Sequence, residues 1–454
     1  MSEVMSEDCE KTPQYISAAC ISVGAFGMGT AIGWTSNITQ DLKEGELNEI
    51  DMTDVEIAWI GAMMTLGAIL MCIAVGWIVD MIGRKSTVLY SIFPFFIGWL
   101  LITCSSEITL TYIGRFLVGI AGGSFCVIVP LYTSEIAHES IRGALGTFFQ
   151  LSITIGIFYC GVCGFTLPLI GFNISCCVIP LFFGAAFYFQ PETPTFSLKQ
   201  GHIEKAEEAF RRLRGESYDF SEEMKQILSN IEREQHFWKT FEKKSTKRAL
   251  IICFMLMFYQ QLSGINAIMF YSQEIFYISG SEMRDSHCVM LLQSIQVIAT
   301  LLSTLTVDWF GRRILLLTSS GFMAFSTTMI GVYFSLKRTG ILSEHTAFSF
   351  VPVMSLNIFI IAYSFGFGPI PWMIPSEMFT PEIKTKCSAM AATFNWTLAF
   401  LVTKFYFPIS EGIGTDSSFY IFSFISATAI VFVYFVMPET RGKTFAQIQI
   451  ELAK

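Results

Sequence analysis

Long apolar runs, broken by short polar stretches, cover most of the chain. A helix needs about 20 mostly apolar residues to cross the hydrocarbon core of a bilayer. By that rule twelve spans are predicted, at 15–36, 55–79, 86–104, 108–133, 144–168, 171–189, 249–278, 287–307, 314–335, 350–376, 386–408 and 418–437. Six precede and six follow the one long polar break, 190–248. Within that break, "IEKAEEAFRRLRG" and "SEEMKQILSNIEREQ" read as short amphipathic helices lying on a membrane face. The predicted fold class is an all-α membrane protein with two pseudo-symmetric six-helix halves. The expected organisation is an N-terminal tail (1–14), a first half (15–189), a helical linker (190–248), a second half (249–437) and a C-terminal tail (438–454).

Composition agrees: 52% of residues are hydrophobic and 15% charged, against roughly 25% charged in soluble domains. The net charge of −8 averages over loops facing two compartments, so it points to no charged partner, and no nucleic acid is expected. The distribution of positive charge says more. With both termini inside, 23 Lys and Arg fall on the cytoplasmic side and four, Lys43, Arg284, Lys337 and Arg338, on the other. The positive-inside rule then predicts cytoplasmic termini and linker in a multi-pass protein, assigned here to the plasma membrane. The polar, acidic start "MSEVMSEDCEKTPQY" lacks the basic region of a signal peptide, so span 1 is expected to serve as the insertion signal.

The 12 cysteines sit mostly in apolar runs and read as small packing residues, the C-x-x-C of Cys160 and Cys163 included. Five scattered histidines form no cluster, and no nucleophile–base pair or phosphate loop is visible. Neither a metal, a cofactor nor an enzymatic activity is expected. N-x-S/T triplets occur at Asn37, beside the membrane, at Asn173, in a very short outer loop, and at Asn395, inside span 11.

The halves repeat one another. "VGWIVDMIGRKSTVL" around Asp80 matches "STLTVDWFGRRILLL" around Asp308. Glu135 and Arg142 match Glu377 and Lys384, and "PETPTF" from Pro191 matches "PETRGKTF" from Pro438. Parallel repeats around a central site are an architecture for alternating access. Basic loops follow from topology alone, but the matched acids do not. A latch of ion pairs is therefore expected at the cytoplasmic helix ends, holding the halves together in the outward-open state.

Span 7 carries "FYQQLSGINAIMFYS", with Gln260, Gln261 and Asn266 in an apolar setting and Ser263 and Gly264 between them. Amides offer donors and an acceptor together, which suits the hydroxyls of a neutral sugar. The same groups also serve as hydrogen-bonding glue between helices. Gln150, Gln296 and Trp372 on other spans weigh towards a ligand surface. Span 10 holds Pro369, Pro371 and Pro375 with Gly366 and Gly368; proline kinks a helix, which suits a gating element. Acids lie only at span ends, so no residue is placed to carry a proton through the membrane's middle.

In these motifs the chain resembles the sugar porter family of the major facilitator superfamily, and within it insect facilitated trehalose and glucose transporters. The matches run from Gly76–Lys85 and Arg115/Gly119 through "PLYTSEIA", "PETP", "QQLSGINAIMFYS", "DWFGRR" and "GFGPIPWMIPSEMF" to "PETRGKT". The resemblance implies a facilitative carrier of a neutral sugar such as trehalose or glucose, for which a monomer suffices in the lipid bilayer. It implies sugar contacts from Gln150, Gln260, Gln261, Asn266, Gln296, Trp372 and Trp396, and gating by Tyr271, Pro369 and Pro371. It places Asp80, Arg84, Glu135, Arg142, Glu192, Asp308, Arg312, Arg313, Glu377, Lys384 and Glu439 in the cytoplasmic charge network. Four positions depart from the family: Gln296, Ser364, Ala399 and Lys384. The family's proton symporters carry an Asp in span 1 where this chain has Gly29. Its sensors carry long tails, whereas 16 residues follow Pro438 here. A proton-coupled symporter and a non-transporting sensor are the alternatives.

Overall fold

A computed structural model describes residues 9–47, 50–138, 140–233, 243–280, 283–342, 348–379, 381–443 and 445–453. Among them, eleven helical segments are long and apolar enough to cross a membrane. They are Thr12–Lys43, Asp54–Ile82, Arg84–Thr103, Ile108–Ile136, Arg142–Thr166, Leu169–Tyr188, Lys244–Ser279, Asp285–Val307, Arg312–Arg338, Phe350–Met378 and Thr415–Val436, corresponding to spans 1–10 and 12. The remaining expected crossing, span 11, lies in the 33-residue helix Pro381–Ile413, which is long enough but carries Lys384, Lys386 and Lys404. All-helical crossing is what hydrocarbon demands, because every backbone polar group must be satisfied within its own segment.

Span 4 packs against span 2, span 1 against span 5, and span 9 against spans 10 and 12. The halves meet where span 2 lies on span 11 and span 5 on span 8, with span 1 beside the second part of span 7. These two seams are exchanged by the six-span repeat. Spans 3, 6 and 12 stand at the periphery: span 12 is 28% buried within the protein against 78% for span 4. The linker forms helices Pro194–Lys199, Ile203–Arg214 and Ser221–Arg233. They close over Leu198, Ala206 and Phe210. Glu10 N–H donates to the Arg214 carbonyl at 2.9 Å, and Gln449 of the last helix donates to the Met378 carbonyl at 2.6 Å. Both described ends and the linker therefore share one face, the linker face.

The repeated motifs build one device twice. Gly83 and Gly311, with φ of 95° and 84°, turn the chain between spans 2 and 3 and between spans 8 and 9. Only glycine holds such a φ without strain. Against each turn rests the glutamate of the matching "PET" motif. Glu192 accepts from the Lys85 backbone N–H at 2.9 Å; Glu439 accepts from those of Arg312 and Arg313 at 2.9 and 3.0 Å. A carboxylate is favoured there because a helix N-terminus presents free N–H groups and partial positive charge. Burial nevertheless pushes the Glu192 carboxyl above its ordinary value.

Asn173 departs from expectation. It lies not in a short loop but inside span 6, fully buried, accepting from the Trp34 indole at 2.7 Å. The helix begins at Leu169, directly after Pro168, so Asn173 falls in its second turn.

Candidate functional site

Span 7 breaks in the middle. Helix Lys244–Leu262 ends at Ser263, Gly264 adopts φ 95°, and Ile265–Ser279 continues. A Cβ at Gly264 would also lie 2.6 Å from the Phe422 ring. Span 10 breaks too, between Phe350–Phe365 and Ile370–Met378. Pro369 sits at the start of the second piece and Pro371 just inside it, where a missing N–H is tolerated. Such breaks free backbone groups to bond elsewhere.

Four amides gather between them. Asn266 donates to Gln261 Oε1 at 2.5 Å, and Gln261 donates to Asn395 Oδ1 at 2.8 Å. Asn395 donates to Gln260 Oε1 at 2.7 Å, and Gln260 donates to the freed carbonyls of Phe367 and Gly368 at 2.7 and 3.1 Å. The break at Gly264 is what brings Gln261 and Asn266 together, since on a regular helix they would face about 140° apart. Asn395 was missed as a site residue: in sequence it is only an N-x-T triplet within a span. Its signal was an amide in mid-span next to Trp396.

The other candidates are distributed around this cluster. Gln150 on span 5 and Gln296 on span 8 are buried, and no described hydrogen bond joins either to the four amides. Gln296 Oε1 has no partner, nor does Ser364 Oγ. Trp372 is half-buried, its ring edge-on to Phe149 of the other half at 5.6 Å. It lines a cavity of about 20 Å³ with Cys126, Pro130, Met257 and Lys384. That holds a water and not a sugar. Trp396 Nε1 donates to Cys126 Sγ across the halves at 3.2 Å.

Away from the linker face, Tyr271 sits at a kink in span 7 (φ −126°, ψ 20°). Its hydroxyl donates to the Thr403 carbonyl at 2.6 Å, and its ring stacks on Tyr406. Beyond it, Lys43 of span 1 bridges Glu274 of span 7 at 3.3 Å and Asp54 at 2.9 Å. This end is thus closed by an aromatic plug and a pairing between halves.

The charge network differs from the expected latch. Arg84 pairs with Glu135 at 2.8 Å and lies 3.7 Å from Asp80, all within the first half. Arg312 pairs with Glu377 at 2.9 Å, and Thr440 donates to the other oxygen of Glu377 at 2.6 Å, all within the second half. Arg313 bonds the Tyr434 carbonyl, again within that half. Among the described residues of this network, Lys384 crosses between the halves: it donates to Ser134 at 2.7 Å and lies near enough to Glu135 to be attracted by it. The physical reason lies at the turns: each arginine leaves its turn beside the acid of its own repeat unit, which satisfies both without crossing the seam. Arg142 lies near enough to Lys384 to repel it. The Asp308 side chain lies outside the described residues.

Arg115 is fully buried, and among the described residues no acid lies beside it. It donates to the carbonyls of Ala31 and Ile60 at 2.8 and 3.4 Å and to Thr35 at 3.1 Å, and stacks on Trp34. Gly29 is not a vacant acid position: a Cβ there would overlap the Ile153 carbonyl oxygen, and Gly156 is pressed equally against Phe26. Spans 1 and 5 cross in backbone contact at the place where a carboxylate would need room.

The model of the family described as "Sugar (and other) transporter" matches residues 16–452. The chain belongs to the sugar transporter family. A facilitated trehalose transporter of Aedes aegypti is 32% identical over 441 residues, covering 96% of this chain and 54% of that protein. Those of Culex quinquefasciatus and Bombyx mori are also 32% identical, covering 96% and 97% of this chain and 85% and 86% of theirs. The chain therefore spans about half the length of some curated relatives and most of others. Among solved structures, the proton:xylose symporter XylE bound to 6-bromo-6-deoxy-D-glucose aligns with a TM-score of 0.82 at 21% identity, covering 97% of this chain and 99% of that one. The inward-open xylose transporter XylE from E. coli aligns at 0.76. The fold is that of these major facilitator superfamily structures, a multi-pass membrane architecture.

Proposed function

We propose that this sugar transporter is a facilitative carrier of a neutral sugar, trehalose or glucose in kind, working by alternating access and without ion coupling. The observation that carries the reading is the chain of uncharged amides, Asn266–Gln261–Asn395–Gln260, set at the paired breaks of spans 7 and 10. In the closed state the amides satisfy one another. On opening, the same donors and acceptors turn to sugar hydroxyls at little net cost, since one set of hydrogen bonds replaces another. Gln150, Gln296, Trp372 and Trp396 complete the lining in this account, and Tyr271 with the Pro369–Pro371 break forms the moving gate. The relatives named as facilitated trehalose transporters support the substrate class.

Among the described residues few links made by charged side chains join the halves: Lys43–Glu274 at one end and Lys384–Ser134 at the other, beside the Trp396–Cys126 contact. Such partly solvated links are each worth little, which suits a switch between states of similar free energy. The pairs within each half then keep each six-helix unit rigid while it rocks. This account takes the linker face as cytoplasmic, the membrane as the plasma membrane and the monomer as the working unit. Symport is disfavoured by Gly29, whose surroundings leave no room for an acid, and by Arg115, whose partners are carbonyls and a hydroxyl.

Uptake of radiolabelled neutral sugars into proteoliposomes tests the reading. Saturable entry of trehalose or glucose, with no transport of sugar acids, is expected. Failure to move any neutral sugar overturns it.

A further inference from the structure

Gln293 is one turn before Gln296 on span 8 and is 1% exposed, yet neither its amide nitrogen nor its amide oxygen has a hydrogen-bond partner. Buried side-chain amides are ordinarily bonded, so this one points to a missing ligand. Its setting is made for it. A Cβ at Gly161 of span 5 would overlap Gln293 Oε1 and would lie 3.7 Å from Oδ1 of Asn37 on span 1. Glycine at that position admits the glutamine amide into the seam between the halves. Asn37 anchors its own nitrogen on the Gly33 carbonyl at 2.7 Å, and its oxygen accepts no hydrogen bond among the described residues.

Residues three apart on a helix share a face, with a rise of about 4.5 Å. The unpartnered Oε1 of Gln296 therefore lies one turn deeper on the same side as the Gln293 amide. All three amides belong to the seam where span 5 meets span 8 and span 1 meets span 5. Gln293 and Asn37 stand on the half of the seam away from the linker face, near the helix ends at Asp285 and Lys43. Unmet hydrogen-bonding capacity thus extends from the central region towards the face opposite the linker. It comprises one NH₂ and three oxygens, all uncharged. One pyranose ring at the central amides would leave this row unused; a second linked ring would reach it. We propose that Gln293 and Asn37 form an outer subsite for the second ring of a disaccharide. The proposal rests on the reading of Gln260, Gln261, Asn266 and Asn395 as the site for the first ring.

The test is initial-rate uptake of trehalose and of glucose into proteoliposomes by the wild-type chain and by Gln293→Leu. The wild type is expected to carry both sugars. Gln293→Leu is expected to raise KM for trehalose about tenfold, as the loss of hydrogen bonds to one buried amide would, while leaving KM for glucose unchanged. The ratio of the two constants is the readout, because a general packing defect would move both together. Gln293→Met, unbranched and of similar length, should give the same ratio and replaces the leucine variant if that one does not fold. An equal change for both sugars, or no change for trehalose, overturns the subsite. So does a wild type that carries glucose but no disaccharide, which leaves the central site standing. A wild type that carries no sugar removes the central site and the subsite with it.

Discussion

Gln261→Leu isolates the central amides most cleanly. The substitution keeps bulk but removes the donor to Asn395 and the acceptor for Asn266, at 2.8 and 2.5 Å. In the sugar-free state it strands two polar groups, each costing about 1–3 kcal/mol when left unsatisfied; Asn395, at 1% exposure, bears the fuller cost. The added apolar burial of leucine offsets part of this. In the sugar-bound state one or two hydrogen bonds to hydroxyls vanish, about 1–3 kcal/mol in all, or roughly 5–150-fold in affinity. The assay is equilibrium binding of labelled sugar to purified protein, with thermal unfolding measured alongside. Weaker binding by folded protein is expected. Unchanged affinity together with lowered thermal stability would refute the reasoning, because it would mean that the amides only hold helices together.

Gly29→Ala forces spans 1 and 5 apart at their backbone contact, and overpacking of this kind costs about 1–3 kcal/mol; a lower unfolding temperature than wild type is expected, and an unchanged one would contradict the crossing. Gly29→Asp should not create proton coupling, which accumulation assays of that variant would check. Glu192→Ala and Glu439→Ala should each cost about 2 kcal/mol, the upper end for a charge at a helix N-terminus, and by similar amounts. Markedly unequal losses in denaturation experiments would deny that the two are one device repeated.

The spans were legible in sequence because hydrocarbon imposes a local rule that each segment must meet alone. The repeat was legible because the turns at Gly83 and Gly311 need glycine and their caps need a carboxylate. What stayed hidden were pairings across the chain. Asn395 meets Gln261 from 134 positions away, and an amide in mid-span beside Trp396 does not say which partner it meets. The charged residues could be named as a group, but which acid each arginine meets depends on where its helix emerges. Arg84 and Arg312 therefore bind within their own halves rather than across them. Gln293 gave no signal at all, since an isolated glutamine in a span reads as packing until its surroundings are known to leave it unbonded.

The central claim is uncoupled transport of a neutral sugar, and it rests on Arg115 held by carbonyls with no acid beside it among the described residues. A guanidinium does not release its proton at physiological pH, so a proton gradient has nothing here to act upon. The most direct measurement is sugar accumulation in sealed vesicles under an inward proton gradient. The account predicts entry that stops when inside and outside concentrations are equal, whether or not the gradient is present. Sugar rising several-fold above the outside level, and collapsing when a protonophore is added, would contradict it.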